Sequence, residues 1–246
     1  METTISLPRT PKTIKQISSN RALLEIEELY PGYGLTIGNA LRRVMLSSLP
    51  GAAITSIKIK DANHEFSTLP DIREDVIEII LNLKQIRFKV YGDEPQNISL
   101  KVKGEKEVSA KDIKTNSQVE IINPNAHIAT LTSKNASLEM EIRVEKGLGY
   151  STIESRKREK QEIGTIAVDA IFAPVKMINF KVEDMRVGDK TNYNRLVFDI
   201  ETDGAITPDE ALKNAAELLI EHFKIITASI KMSKVAEEKE EKKEEK

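Results

Sequence analysis

The segment 32–51 constrains this chain more than any other, because it joins a glycine-rich entry, an amphipathic helix, two adjacent arginines and an abrupt stop. With Thr36 as a candidate N-cap, Ile37, Ala40, Leu41, Val44 and Leu46 follow helical spacing as far as Ser48, and Pro50-Gly51 cannot extend the helix. Small residues at Gly38, Ala40, Ser47 and Ser48 let another backbone come close. Arg42 and Arg43 sit about 100° apart around the axis, so at least one of them faces outward. The ordinary reading of such a pair is a solvated arginine on a core helix. The combination here reads as an interface helix rather than a catalytic one.

Composition narrows the classes of function. The chain has 246 residues, enough for one large or two modest domains, and two are expected. A net charge of −2 provides no global positive field to hold nucleic acid by counterion release. Cysteine is absent, which excludes disulfides, thiolate metal sites and a cysteine nucleophile together. No apolar run approaches the roughly 20 residues of a membrane span, and Met1-Glu2-Thr3-Thr4 lacks a secretory pattern, so a soluble, cytoplasmic chain is expected.

The pattern of elements is mixed. Residues 22–27 read as a strand leading to the turn Pro31-Gly32, and 53–60 alternate as a half-buried strand after the helix. Asp71 and Glu74 make a capping-box pattern before an apolar stripe at Ile72, Val76, Ile79, Ile80 and Leu83. Short alternating strands are expected at 87–91, 98–102, 119–122, 138–144, 178–182 and 196–200, and the densely charged 154–162 is expected to be an exposed loop. Thr207-Pro208-Asp209-Glu210 provides an N-cap, a proline at the first helical position and a reciprocal glutamate. A long helix follows, with Ala211, Leu212, Ala215, Leu218, Leu219, Phe223, Ile226 and Ile230 on a wide apolar face that could serve its own sheet or a second copy. Residues 236–246 are almost purely Glu and Lys and read as a solvated, disordered or frayed tail.

Catalytic chemistry finds little support. Gly32-x-Gly34-x-x-x-Gly38 after a strand, with Asp61 downstream, has the look of a phosphate-cradling turn, but its spacing is wrong for the tight form and no series of crossover helices follows. His64, His127 and His222 lie in no metal-ligand spacing, and Ser47-Ser48 and Ser67-Thr68 lack a nearby histidine pattern.

The 32–51 segment resembles the signature of the amino-terminal region of the bacterial RNA polymerase alpha subunit family. The resemblance recurs in order at His64-Glu65-Phe66-Ser67-Thr68, at 74–84, at Gly147-Leu148-Gly149-Tyr150, at 166–175 and at Glu201-Thr202-Asp203-Gly204, covering nearly all of the chain. It implies a scaffold that forms a homodimer and recruits the two large polymerase subunits, a non-catalytic part of a nucleotidyltransferase complex with no catalytic residue, cofactor or metal of its own. Carried over by position, Arg43 and Leu46 match contacts to the beta subunit, and Lys84, Val168 and Asp169 match contacts to the beta-prime subunit. Lys84 could equally be a favourable helix end. Ile37, Leu41, Val44, Leu219, Phe223 and Ile226 are the expected dimer interface.

The expected architecture is α+β. A discontinuous dimerisation domain, 1–51 and 176–235, places helices on an antiparallel sheet and is interrupted by a strand-rich insert domain, 52–175, with the charged tail at 236–246. Family members commonly continue into a carboxy-terminal DNA-reading domain; here the chain ends in the Glu/Lys tail, either cut or naturally short. Promoter DNA is then met only through the assembled complex. Two other readings stay open: a homodimeric adaptor outside transcription, and a nucleotide-binding enzyme using the Gly32–Gly38 turn.

Overall fold

Two hydrophobic cores share the chain, the first built from both ends of the sequence and the second from its middle. The computed structural model describes residues 5–62, 64–156 and 164–244, with side chains of the last helix described as far as Ala228. In chain order the elements are β1 (Lys12–Ser18), β2 (Arg21–Leu29), α1 (Tyr33–Ser47), β3 (Pro50–Ile59), α2 (Val76–Leu83), β4 (Phe88–Val90), β5 (Gln96–Lys103) and β6 (Lys106–Ser109). After a short 3-10 turn come β7 (Ile113–Lys114), β8 (Val119–Ile121), β9 (His127–Leu131), β10 (Ser137–Leu148), β11 (Tyr150–Ser151), β12 (Thr165–Ala167) and β13 (Ala170–Ile171). The hairpin β14 (Val175–Val187) and β15 (Lys190–Thr202) leads to α3 (Pro208–Glu244). Helices and mostly antiparallel sheets make this the expected α+β class. Part of the charged stretch 154–162 and residues 245–246 of the tail lie outside the described residues, and of 236–244 only the helical backbone is described.

The first core lies under an antiparallel sheet of order β1-β2-β15-β14. Alternation along β2 and β15 sends Leu24, Ile26, Leu196, Phe198 and Ile200 to one face, where α1 and α3 cover them. The opposite face is charged and laced by ion pairs: Arg21 grips Asp199 through Nε at 2.9 Å and Nη2 at 2.8 Å, and Lys12 reaches Glu25 at 2.7 Å. α3 begins as its sequence predicts. Thr207 N–H donates to Glu210 at 2.8 Å, Glu210 N–H donates back to the Thr207 hydroxyl at 3.2 Å, and Ala211, Leu212 and Ala215 are buried beneath the helix.

α1 begins earlier than its apolar spacing indicates. Gly32 caps it with φ of 88°, a left-handed conformation favourable only for glycine, and Thr36 is no cap, since its hydroxyl donates back to the Gly32 carbonyl at 3.4 Å. Gly34, Gly38, Leu41 and Met45 form the stripe that lies on the sheet. A Cβ on Gly38 would stand 2.7 Å from the Phe180 ring, so the room this small residue leaves is taken by a side chain of the chain's own sheet.

The second core is closed by the five-stranded sheet β12-β3-β10-β5-β7, by the pairs β4-β8 and β6-β9, and by α2. The cap of α2 is Asp75 and not Asp71: Asp75 accepts from Glu78 N–H at 2.7 Å, and Glu78 accepts from Asp75 N–H at 3.3 Å. The preceding residues are drawn into extended pairing with β9. Arg73 N–H donates to the Thr130 carbonyl at 3.1 Å, Ile72 bridges Leu131, and Glu74 takes the Thr130 N–H at 2.6 Å. That pairing delays the helix by one turn.

The two cores meet at the Pro50/Leu148 end of the β3–β10 ladder, next to Leu49 of the first core. Gly51 and Gly147 stand opposite each other in the β3–β10 ladder, and Phe172 lies in the gap they leave. A Cβ on Gly147 would be 2.6 Å from the Phe172 ring, and one on Gly51 would be 1.8 Å from the Phe172 carbonyl oxygen. Alanine in the middle of α1 gains about 1 kcal/mol of helix propensity against an overpacking cost of about 1–3 kcal/mol, so Gly38→Ala is expected to lose between about 0 and 2 kcal/mol. Gly51→Ala meets backbone and has no such offset. It is expected to lose at least about 3 kcal/mol, measured by urea unfolding of the two variants side by side.

Candidate subunit interface

Arg42 and Arg43 divide as successive helical residues must. Arg42 Nε donates to the Ile178 carbonyl of β14 at 3.3 Å, fastening α1 to its sheet. The Arg43 guanidinium is exposed and, among the described residues, has no hydrogen-bond or ion-pair partner. Leu46 is exposed one turn further on, and the Ser47 hydroxyl closes the helix end by donating to the Arg43 carbonyl at 2.8 Å.

The end of α1 abuts the segment after β10, since a Cβ on Gly149 would lie 3.4 Å from the Ser47 carbonyl oxygen. Around that contact the β11–β13 ladder presents an apolar rim in which Leu148 is 58% exposed, Tyr150 60% exposed, and Ile153 and Ile171 are open as well. Sequence reasoning placed none of these side chains in a site; the apolar residues flanking Gly147 and Gly149 were the available signal.

Asp169 organises this rim. One carboxylate oxygen accepts Ile153 N–H at 2.9 Å and the other accepts the Tyr150 hydroxyl at 3.0 Å. These bonds, Ile153 N–H first, outweigh partial burial and hold the carboxyl below its ordinary range, with the charges of Lys84 and Arg156 adding to the effect. Lys84, the half-buried C-cap of α2, therefore shares an electrostatic neighbourhood with Asp169. Val168 does not offer its side chain: it is 4% exposed and belongs to the second core. Its backbone is engaged too, with N–H donating to the Thr55 carbonyl at 2.9 Å while Arg156 holds both the Thr55 and the Val168 carbonyls.

The residues expected at a dimer contact separate into two groups. Leu41, at 5% exposed, is closed inside the chain's own first core because it follows Gly38 on the sheet-facing stripe; this corrects its assignment to an interface. Ile37, Val44 and Leu219 pack half-buried against the same core. Phe223, 61% exposed, and Ile226 stand clear of it, accompanied by Ile220 and Ile225.

The glycine turn does not have the form of a phosphate cradle. Asn194 of β15 reaches into it, and its Oδ1 accepts the Gly32 N–H at 2.9 Å and the Gly34 N–H at 3.3 Å, the amides an anion would need. Each histidine has a local partner: His64 Nδ1 lies 3.3 Å from the Ser67 hydroxyl, His127 Nε2 3.0 Å from Glu74, and His222 Nδ1 2.8 Å from the Leu218 carbonyl. Among the described residues no helix is long and apolar enough to cross a membrane.

Comparison with known proteins places the sequence in a family. The family described as RNA polymerase Rpb3/RpoA insert domain matches residues 57–173, the span of the second core. A DNA-directed RNA polymerase subunit alpha of Symbiobacterium thermophilum is 50% identical over 218 residues, covering 87% of this chain and 69% of that protein. The chain belongs to the RNA polymerase alpha subunit family. Alpha subunits of Oceanobacillus iheyensis, 46% identical over 90% of this chain and 71% of their own, and of Moorella thermoacetica, 49% identical over 81% and 64%, agree. Neither the adaptor nor the nucleotide-binding reading gains support from these relatives.

The Asp169 network predicts a pH response of known sign. A carboxyl with a depressed folded-state pKa stabilises the rim above its ordinary titration range, and that contribution is lost as pH falls through the depressed value. Amide hydrogen exchange at Ile153 should therefore be protected at neutral pH and accelerate in acid beyond its intrinsic pH dependence. Asp169→Ala should raise exchange there about two- to tenfold at neutral pH, the worth of one modest hydrogen bond.

Proposed function

We propose that this member of the family acts as the alpha subunit of a DNA-directed RNA polymerase, forming a homodimer and recruiting the beta and beta-prime subunits in the cytoplasm. The observation that carries the reading is the apolar face of α3 beyond its own core, in a chain about half identical to named alpha subunits. Phe223 and Ile226, with Ile220 beside them, gain about 1.5–3 kcal/mol each on full burial, and a twofold contact buries the same set from both copies. Half-buried Ile37, Val44 and Leu219 line the margin of that face in this reading. The first core, 1–51 with 176–235, is then the dimerisation domain, and 52–175 is the insert.

Arg43 and Leu46 are assigned to the beta subunit, and Lys84 with Asp169 and the rim beside it to beta-prime. An exposed guanidinium without a partner among the described residues, mounted on a helix whose other arginine is fastened, suits bidentate recognition of carboxylates or carbonyls. In this reading the chain contributes no catalytic group, cofactor or metal.

Leu219→Glu and Phe223→Glu should convert the dimer to monomers or aggregates in sedimentation, and a dimer unchanged by both would remove this face from the proposal. Arg43→Ala should leave the dimer intact and weaken its capture of the beta subunit by 2 kcal/mol or more, about thirtyfold, if that guanidinium becomes buried on assembly.

A further inference from the structure

A second junction between the cores forms a solvent-open cavity of about 490 Å³, within the size range of small-molecule sites. It lies between the end of α2 and the 123–127 turn on one side, and β14 with the β15–α3 turn on the other. The turn is seated firmly: a Cβ on Gly204 would be 2.9 Å from Ile122, and Asp203 N–H donates to the Pro174 carbonyl at 2.8 Å.

The wall amides are committed to the fold. Asn82 Nδ2 donates to the Ile128 carbonyl at 3.0 Å, and Asn123 takes Arg87 N–H at 2.8 Å while donating to the Gln85 carbonyl at 3.0 Å. His127 is held by Glu74. What the fold leaves uncommitted is the Arg87 guanidinium, the Lys176 ammonium and the Gln85 amide, none of which has a hydrogen-bond or ion-pair partner among the described residues. Opposite them stands Asp203, one oxygen of which accepts Ala205 N–H at 2.9 Å. Burial pushes its carboxyl above the ordinary range even though Arg87 and Lys176 pull the other way. Two cations in the lining face this one carboxyl, so the positive charge of the cavity is not fully balanced from within.

We propose that this junction is a binding site for a small phosphate ester that also carries hydroxyl groups, its phosphate held by Arg87 and Lys176 and a hydroxyl by Asp203. Two cations carried by different cores suit a dianion better than a neutral ligand, and a carboxyl in the same lining distinguishes a sugar phosphate from inorganic phosphate. The proposal is independent of the assembly reading above, since none of its residues is assigned to a subunit contact.

Calorimetric titration of the intact chain at low salt, with ribose 5-phosphate, with inorganic phosphate and with ribose, tests it. Ribose 5-phosphate is expected to bind and ribose is not. Lys176→Gln, at an exposed position that leaves the fold intact, and Arg87→Gln should each weaken binding about tenfold, the worth of one charge-assisted hydrogen bond, and Asp203→Asn should reduce the preference for ribose 5-phosphate over inorganic phosphate. Absence of ribose 5-phosphate binding, or binding unchanged in both cation variants, overturns the proposal.

Discussion

The constraint on which the candidate subunit contacts depend is the packing of Phe172 against Gly51 and Gly147. Two glycines paired across an antiparallel ladder leave a gap in the side-chain layer, and an aromatic ring with its own carbonyl occupies that gap more closely than any Cβ would permit. Phe172 is also tied by its N–H to the Gly149 carbonyl at 2.8 Å, so the strand pair, the ring and the β11–β13 rim are fixed as one unit. The end of α1 rests on the same unit at Gly149. The position of Arg43 and Leu46 relative to the apolar rim is therefore a property of packing at the seam, not of a flexible connection.

How legible this was depended on how local each signal is. The Thr207 cap and the alternation of β5, β10 and β15 are complete within a few residues, and they appear where the pattern places them. Asp71-x-x-Glu74 carries the right letters for a cap, but a strand more than fifty residues away recruits those residues, and the true cap is the equally well-formed Asp75-x-x-Glu78. β1 and β9 were missed for a related reason: every residue of β1 is exposed, so it shows no burial rhythm, and β9 is short and nearly continuous in its apolar content.

The interface residues show the same limit. Helical spacing correctly groups Leu41 with the apolar side of α1, but it cannot say which partner that side meets, and the answer here is the chain's own sheet. Gly38 shows the same limit, since the room it leaves is taken by Phe180 and Leu196 of the chain's own sheet. What distinguishes Arg43 from Arg42 is a single hydrogen bond to Ile178, a residue 136 positions away. No pattern within the helix could contain that information.

Because the first core draws β1, β2 and α1 from one end of the chain and β14, β15 and α3 from the other, the order of synthesis matters. Emerging from the ribosome, the early strands and α1 must wait, apolar face uncovered, while the whole middle segment is made and is free to close on itself. Only when α3 has left the exit tunnel can the sheet be completed and its helical side sealed. Any association that uses that side is thereby restricted to chains in which α3 has already been made, a form of proofreading by topology in which a polypeptide terminated before α3 never acquires the surface needed to enter an assembly.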